Sequence, residues 1–299
     1  VLRRRLQSGR IFGIWLWVAA PIIMSPIMFG RFDVFPTMTA VAALVFASSA
    51  NASGALIAVG TLLKVWPVLG LLGAKRHQQP KLALTFAATF FVGTLLLWIW
   101  WPGSFDFLNG QRARGLQIES TGALPYMIWN AMGHHVQVEL QYGALEVIAQ
   151  GTQTVCIIVS VIGLLLLGGL AALRISGRMS TVTPAHITLA AVLVSMVTSR
   201  VLSPQYSVWM LGILAVVAFD PPKHFKWIAT LIITSAACGN LMYPPLYFDF
   251  LAGDPIAVAV QVLRIITLIA GTAVCIYSLF VEASSGSTPA SKSAKRAKA

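Results

Sequence analysis

Charged side chains are scarce in this sequence, and acidic ones are the scarcest. Asp and Glu together account for 9 of the 299 residues, and all charged residues for only 10%. Hydrophobic residues make up 57% of the chain, and its mean hydropathy is +0.80. So little charge excludes a water-soluble domain of this length. The composition instead predicts a helical protein that crosses a membrane several times.

Cysteine is also rare, and the signature motifs of several enzyme classes are missing. Cys156, Cys238 and Cys275 lie in apolar stretches, without the spacing of a metal site or an evident pairing. There is no Gly-Lys-Ser/Thr phosphate loop, no His-Glu-x-x-His and no serine nucleophile elbow. These absences argue against chemistry driven by cytoplasmic ATP within this chain.

Basic residues are more numerous, and they follow a topological pattern. Of the 21 Lys and Arg residues, all but six lie in five clusters that border apolar segments. The positive-inside rule places such clusters in the cytoplasm, and the apolar segments between them then cross in alternating direction. The net charge of +12 is therefore a topological signal and a contact surface for anionic lipids, not a sign of a nucleic-acid partner. The clusters are Arg3, Arg4, Arg5 and Arg10; Lys75, Arg76 and Lys81; Arg174 and Arg178; Lys223 and Lys226; and Lys292, Lys295, Arg296 and Lys298.

The six cations outside these clusters all fall at or near the opposite, outer face. Because the topology disfavours cations on that side, their presence indicates an anionic ligand. They are Arg31, Lys64, Arg112, Arg114, Arg200 and Arg264.

The apolar segments predict an all-α polytopic membrane protein with about ten membrane segments and both termini in the cytoplasm. One segment, residues 55–73, carries Lys64 at its middle, followed by Trp66 and Pro67. A lysine at the centre of a spanning helix costs about 3 kcal/mol or more, and proline disfavours helix at the residue before it. We therefore predict a broken pair of short helices that rises to Lys64 and then returns.

Residues 1–281 are predicted to form one integral membrane domain, with residues 102–146 as its long outer loop. Residues 123–133 are apolar and aromatic enough to form a short interfacial helix within that loop. Residues 282–299 are rich in Ser, Ala and Lys, which predicts a disordered, basic cytoplasmic tail. Because three arginines and a full-length apolar span open the chain, we expect a fragment or a start assigned too late.

The outer loop concentrates polar groups beside the membrane, namely Arg112, Arg114, Gln117, Glu119 and Ser120. Arginine suits a phosphate or pyrophosphate because its planar fork makes bidentate, charge-assisted hydrogen bonds. A solvated loop with a surface pair between Arg114 and Glu119 is the alternative. The alternation of polar and apolar residues from Gln117 to Ser120 favours the interpretation that these residues line a binding site.

A second candidate anion site lies where Arg200 precedes Ser203, Pro204, Gln205 and Tyr206 at the start of a helix. Pro204 suits the first helical turn, and Ser203 is a candidate cap. The helix N-terminus offers free N–H groups and the positive end of the dipole to an anion, and Arg200 adds a full charge. The alternative is a snorkelling arginine beside an ordinary cap.

Four further residues are candidates with competing explanations. Lys64 either lines a cavity or snorkels, and Arg31 either binds substrate or pairs with Asp33. His134 is a candidate for contact with substrate or for proton transfer, and Arg264 is equally compatible with a structural role.

In their order along the chain, these elements resemble the integral-membrane glycosyltransferases of the GT-C fold, and family 87 in particular. The resemblance extends over residues 11–281. Members of this family are actinobacterial mannosyltransferases that use polyprenyl-phosphate-mannose to build phosphatidylinositol mannosides, lipomannan and related envelope glycans. The residues that carry the resemblance are Arg31-Phe32-Asp33, Lys64-Val65-Trp66-Pro67, Arg114 to Ser120, and Ser203-Pro204-Gln205-Tyr206.

The resemblance implies a transferase that moves a sugar, mannose by analogy with the family, from a polyprenyl monophosphate carrier to a lipid-linked or envelope glycan acceptor. The reaction would take place at the outer face of the plasma membrane, without metal or other cofactor, and would invert the configuration at the anomeric carbon of the sugar. Cations at that edge of the membrane would stabilise the leaving phosphate. We expect the lipid phosphate to bind Arg200, Arg114, Lys64 and Arg112. We expect the substrate site to be lined by Arg31, Gln117, Ser120, His134, Ser203, Gln205 and Tyr206.

The catalytic base is the point at which this chain departs from the family. In this fold the base is typically an aspartate in the first outer loop, and we expect the chain to begin around the third helix, without that loop. A carboxylate is needed to accept the proton of the acceptor hydroxyl. Asp33 and Glu119 are the nearest outer carboxylates, although neither matches the family base in position. The chain is thus expected to be a truncated record or an inactive remnant.

A transporter, flippase or binding protein for an anionic lipid is the alternative function. Such a protein also needs cavity-facing cations and broken helices. The long outer loop favours the transferase, because it offers a platform for an acceptor. A transporter would more often show internal repeats, and no repeat is evident in the sequence.

Overall fold

The computed structural model describes residues 2–24, 27–101, 103–106 and 114–285, with side chains from Ser8 onward. Helices dominate it, and some are joined by short 3₁₀ helices at Trp66–Gly73, Arg76–Gln78, Thr121–Ala123 and Pro204–Tyr206. The α-helices are α1 (Leu2–Met24), α2 (Ile27–Gly30), α3 (Val34–Val45), α4 (Ala50–Leu63), α5 (Gln79–Trp100), α6 (Leu124–Ala131), α7 (Thr152–Ile175), α8 (Pro184–Val197), α9 (Ser207–Val217), α10 (Phe225–Met242), α11 (Tyr247–Leu251) and α12 (Pro255–Ser285).

Long apolar helices make the chain a helical membrane protein, as predicted. Within the described ranges, 4 helices are long and apolar enough to cross a membrane. Five further apolar helices have only 10–17 residues, and an α-helix of that length covers about 15–26 Å of a hydrocarbon layer that is roughly 30 Å thick. The number of membrane segments, about ten, therefore stays a prediction. The four long helices are Arg76–Trp100, Thr152–Ile175, Phe225–Met242 and Pro255–Ser285.

The core is centred on α8 and α9, which are buried on nearly all sides. Residues 185–194 of α8 are all buried, and so is most of α9. Helices α1, α3, α10 and α12 pack around this pair. Most side chains of α5 and α7 are exposed instead. These two helices therefore present the apolar surface that lipid would cover.

Residues 50–73 form the predicted broken pair. Helix α4 ends just before Lys64, whose backbone is extended, and the 3₁₀ helix Trp66–Gly73 follows. The second limb runs back along the first, because Gly70 lies against the side chain of Ile57. The break is thus confirmed, and the returning limb is a 3₁₀ helix.

The outer loop contains a small antiparallel sheet that the sequence did not predict. Its strands are β1 (Leu116–Gln117), β2 (Gln137–Gln141) and β3 (Ala144–Ile148), in the order β1-β3-β2. A two-residue turn joins β2 to β3, and both Tyr142 and Gly143 have positive φ angles, as a type I′ turn requires. Helix α6 forms where the interfacial helix was predicted. The sheet and α6 together are named the outer module below.

Arg174, at the end of α7, holds the opposite end of the bundle together. It is buried, and its guanidinium donates hydrogen bonds to the carbonyl oxygens of Gly73, Ala74, Met179 and Val182. These bonds tie the returning limb of the broken pair to the turn between α7 and α8. Arg174, counted above as a topological marker, therefore also has a structural role.

Helix α12 reaches the same end, where Glu282 meets His186 of α8. Oε2 of Glu282 lies 2.8 Å from Nδ1 of His186, and Oε1 accepts a hydrogen bond from the backbone N–H of Thr183. Residues 282–285 thus belong to α12. The rest of the predicted tail, residues 286–299, lies outside the described residues.

Replacing Arg174 with alanine should destabilise the bundle. Each buried carbonyl that loses its donor costs about 1–3 kcal/mol, so we expect the melting temperature in detergent to fall by roughly 5 °C or more. Arg178→Ala, at an exposed position of the same turn, is the matched control and should melt like the wild type. Equal melting temperatures for the two variants would contradict the structural role of Arg174.

Candidate active site

Lys64 extends from the end of α4 towards a group of aromatic side chains. Its Nζ lies 4.6 Å from the ring centroid of Tyr206 and 5.0 Å from that of Trp209. Phe32 contributes a third ring at 5.5 Å. Nζ also lies 2.6 Å from Oδ1 of Asp33, and 23% of the lysine side chain stays exposed. The ion pair and the cation–π contacts hold the ammonium group in one position.

Asp33 is the carboxylate on which these contacts converge. It is buried directly before α3, and its Oδ1 accepts a second hydrogen bond from Nε1 of Trp209 at 2.8 Å. Trp209 in turn stacks on Tyr206, with ring centroids 4.0 Å apart. Because Asp33 pairs with Lys64, its alternative pairing with Arg31 is wrong.

Two further cations lie near Lys64 and its partner Asp33. Arg31 and Arg114 both lie near enough to Lys64 for electrostatic repulsion to act between them. The single charge of Asp33 cannot neutralise all three. The group therefore has a net positive charge and favours the binding of an anion.

Residues 117–120 of the outer loop and the segment that begins at Arg200 form one hydrogen-bond network. Gln117 is its central residue. Oε1 of Gln117 accepts a hydrogen bond from the backbone N–H of Leu202 at 2.6 Å. Nε2 of Gln117 donates to Oε2 of Glu119 at 2.9 Å and to Oγ of Ser203 at 3.4 Å. The backbone N–H of Gln117 donates to the carbonyl oxygen of Arg200. Ser203 occupies the N-cap position of the following 3₁₀ helix, but its side chain makes no capping hydrogen bond.

A buried ion pair joins this network to the last helix. Oε1 of Glu119 lies 3.2 Å from Nη1 of Arg264, and each side chain is 2% exposed. Arg264 also donates to the carbonyl oxygen of Leu202, and Gln261 donates to that of Glu119. The surface pair between Glu119 and Arg114 is therefore wrong. Burial raises the pKa of Glu119 to about 7, and the charge of Arg264 opposes the rise.

Two arginines that were predicted to bind phosphate lie next to each other. Nη1 of Arg200 donates to the carbonyl oxygen of Arg114 at 2.9 Å, and Nη2 of Arg114 donates to that of Tyr142 at 3.1 Å. Nε of Arg114 is buried and has no hydrogen-bond partner in the described part of the chain. Arg112 lies outside the described residues.

Not all of the other residues that were predicted to line the substrate site lie near Lys64. Gln205 and Tyr206 are half-buried. Ser120 is buried, and its Oγ accepts a backbone N–H and caps the short 3₁₀ turn that follows. His134 is exposed in the outer module, where its ring stacks on Trp129 with 3.7 Å between centroids. Ser120 therefore has a structural role, and His134 belongs to another part of the outer face.

The sequence did not predict three further residues of the site. Trp209 and Gln261 lie in apolar helices, where nothing in the pattern marks them as partners of carboxyl or carbonyl groups. Glu146 is buried, its Oε2 accepts a hydrogen bond from the N–H of Gly115 at 2.8 Å, and its Oε1 has no partner among the described residues. As an outer-loop carboxylate in a chain with only 9 acidic residues, Glu146 could have been found.

A family model described as Glycosyltransferase family 87 matches residues 1–204 of the chain. The matched range includes Asp33, Lys64, Arg114 and Arg200, whereas Arg264 follows it. No curated protein and no solved structure matches the chain.

The raised pKa of Glu119 predicts a pH dependence of stability. The folded protein keeps a proton on this carboxyl at pH values where the unfolded chain, with a pKa near 4.5, has released it. The resulting stabilisation is complete below pH 4.5 and is lost as the pH rises through about 7. Between about pH 5 and 8, the melting temperature in detergent should therefore fall more steeply in the wild type than in Glu119→Gln.

The control for this measurement is Asp220→Asn, which changes an exposed carboxyl. Its melting temperature should follow that of the wild type at every pH. If Glu119→Gln did so as well, Glu119 would not titrate in this range and the explanation would fail.

Proposed function

Because the chain belongs to glycosyltransferase family 87, we propose that it transfers a sugar from a polyprenyl monophosphate carrier to a glycan at the outer face of the plasma membrane. Mannose is the proposed sugar, and a lipid-linked or envelope glycan is the proposed acceptor. The observation that carries the proposal is the group of Lys64, Arg31 and Arg114 around a single carboxylate. Membership of a glycosyltransferase family disfavours the transporter alternative.

The cations suit a phosphate leaving group. In the proposed step, the oxygen of an acceptor hydroxyl attacks the anomeric carbon, the bond from that carbon to the phosphate oxygen breaks, and the hydroxyl proton passes to a carboxylate. Negative charge then grows on the phosphate, where preorganised cations stabilise it. Lys64 is already held by its ion pair and by aromatic rings, so little reorganisation is needed.

The surroundings of this group suit a lipid-linked donor. Helices α3 and α4, which begin after Asp33 and end before Lys64, have only 12 and 14 residues. The neighbouring α5 exposes apolar side chains along most of its length. An isoprenoid chain can lie against this apolar surface while its phosphate reaches Lys64.

Of the two candidate carboxylates, we propose Asp33 and not Glu119 as the general base. Both oxygens of Glu119 are engaged, one by Arg264 and the other by Gln117. Both hydrogen bonds to Asp33 end on Oδ1. Its Oδ2 is therefore the better placed oxygen to accept a proton from the acceptor hydroxyl.

The proposed orientation places both termini in the cytoplasm and the cation group outside. The basic clusters near Lys75, Arg174 and Lys223 gather at the end of the bundle opposite Lys64, which supports this orientation. The bilayer and the two lipid-linked substrates are the proposed partners, and no nucleic acid is among them.

Removing the phosphate-binding cations should abolish transfer. We expect Lys64→Met, and the double variant Arg114→Ala and Arg200→Ala, each to lower transfer by about 10²-fold or more, as loss of a donor to a developing oxyanion does. The assay measures transfer of radiolabelled mannose from polyprenyl-phosphate-mannose in membranes that contain the protein as the cell makes it. Lys226→Ala, which removes an exposed cation at the opposite end, is the control. Wild-type rates in the double variant would refute the assignment.

The choice of base is tested by two isosteric substitutions in the same assay. Asp33→Asn keeps an oxygen that can accept bonds from Lys64 and Trp209 but cannot take up a proton. We expect it to lose transfer by about 10²-fold or more and to remain folded, with a lower melting temperature because Lys64 loses its counter-charge. Glu119→Gln should retain more transfer than Asp33→Asn, and the reverse order would exchange the two roles.

A further inference from the structure

We propose that a cleft in the outer module binds neutral sugar units of the acceptor glycan, away from the phosphate site. This inference rests on the proposed function, whose acceptor it concerns. The cleft has a volume of about 590 Å³ and lies between α6 and the β2–β3 hairpin. The lining residues used in the argument are Tyr126, Trp129, His135, Gln137, Ile148 and Ala149.

One wall of the cleft is aromatic and held in place. Trp129 is 53% exposed, yet its indole is stacked against the ring of His134, with an angle of 11° between the planes. The hydroxyl of Tyr126 donates to the carbonyl oxygen of Gln150. A rigid, exposed aromatic ring gives a flat apolar surface at low entropic cost. The C–H face of a sugar ring is a matching surface.

Beside the cleft, strand β2 carries a row of planar polar side chains, of which Gln137 lines the cleft. Gln137, Glu139 and Gln141 alternate along β2 and therefore share one face of this edge strand. Nε2 of Gln137 and Nε2 of Gln141 donate to the two oxygens of Glu139, at 2.7 and 2.9 Å. The three groups hold one another in position and are exposed or half-buried. Amides and a carboxylate together supply the donors and acceptors that neighbouring sugar hydroxyls need.

The charge in and around the cleft disfavours an anionic ligand. None of the residues that line it is Lys or Arg, and the nearby polar row carries the negative charge of Glu139. A lipid phosphate would be repelled here and attracted to Lys64 instead. A membrane surface is the competing occupant for an exposed tryptophan, but the concave shape and the polar row favour a glycan.

Strand β3 connects the cleft to the phosphate site. Glu146 accepts the N–H of Gly115, next to Arg114, while Ile148 and Ala149 line the cleft. Glu146 and Ala149 are three residues apart, about 10 Å along a strand. A short oligosaccharide can cover that distance, so a glycan bound in the cleft can direct its end towards the cations.

The test separates glycan binding from transfer. The probe is a soluble tetrasaccharide of mannose, and its contact with the purified full-length protein is measured by saturation-transfer NMR. We expect Trp129→Ala and Gln137→Ala to weaken the affinity for the probe about tenfold, the scale of one aromatic or hydrogen-bond contact. In the transfer assay, both should raise the KM for the acceptor and leave the KM for the donor unchanged.

Matched controls make the outcomes distinct. Trp227→Ala removes a tryptophan of α10 that is 67% exposed and should bind the probe like the wild type. Arg114→Ala should also bind the probe while losing transfer. Because Gln137 is exposed on an edge strand, its variant keeps the test valid even if Trp129→Ala misfolds.

Each result decides the proposal. Probe binding by the wild type without transfer would support the cleft and refute the proposed function. Normal probe binding and acceptor KM in both cleft variants would overturn the cleft alone. Protection of a Trp129→Cys thiol from a water-soluble thiol reagent in phosphatidylcholine vesicles, with unchanged probe binding by Trp129→Ala, would assign Trp129 to the membrane interface and also overturn it.

Discussion

The buried ion pair between Glu119 and Arg264 is the contact on which the arrangement of the outer face depends. Removing one partner from such a pair leaves an uncompensated buried charge, which costs about 3–5 kcal/mol. The loop that carries Glu119 therefore has one favourable position relative to α12. Arg264 also binds Leu202, and Gln117 binds the same segment from the other side. The Arg200 segment is thus held between the loop and the last helix.

The outer cations divide into two kinds once these contacts are known. Arg264 is fully committed to protein groups in the interior. Lys64 is held in place but partly exposed, Arg31 is exposed, and Arg114 is half-buried. The cations that remain accessible are those within the range matched by the family model. Charge at the outer face therefore serves both the fold and the proposed reaction.

Local features of the fold could be predicted from the sequence, and distant contacts could not. The break in α4 follows from Lys64 and Pro67, whose effects on a helix act within one turn. Asp33 and Lys64 are 31 residues apart, and no periodicity in the sequence indicates which carboxylate pairs with a partly buried lysine. The sheet escaped prediction because β1 has only 2 residues and is completed by strands that follow much later in the chain.

The two short helices that connect Asp33 to Lys64 have a consequence for the depth of the site. Helices α3 and α4 contain 12 and 14 residues, which correspond to about 18 and 21 Å. In the proposed orientation, with the turn between them at the inner surface, Lys64 would lie about 10 Å below the outer edge of a roughly 30 Å hydrocarbon layer. A carrier phosphate then reaches Lys64 only by descending below its neighbours or where the bilayer thins locally. Membrane thickness, a property of the lipids, would thereby control how readily the donor enters.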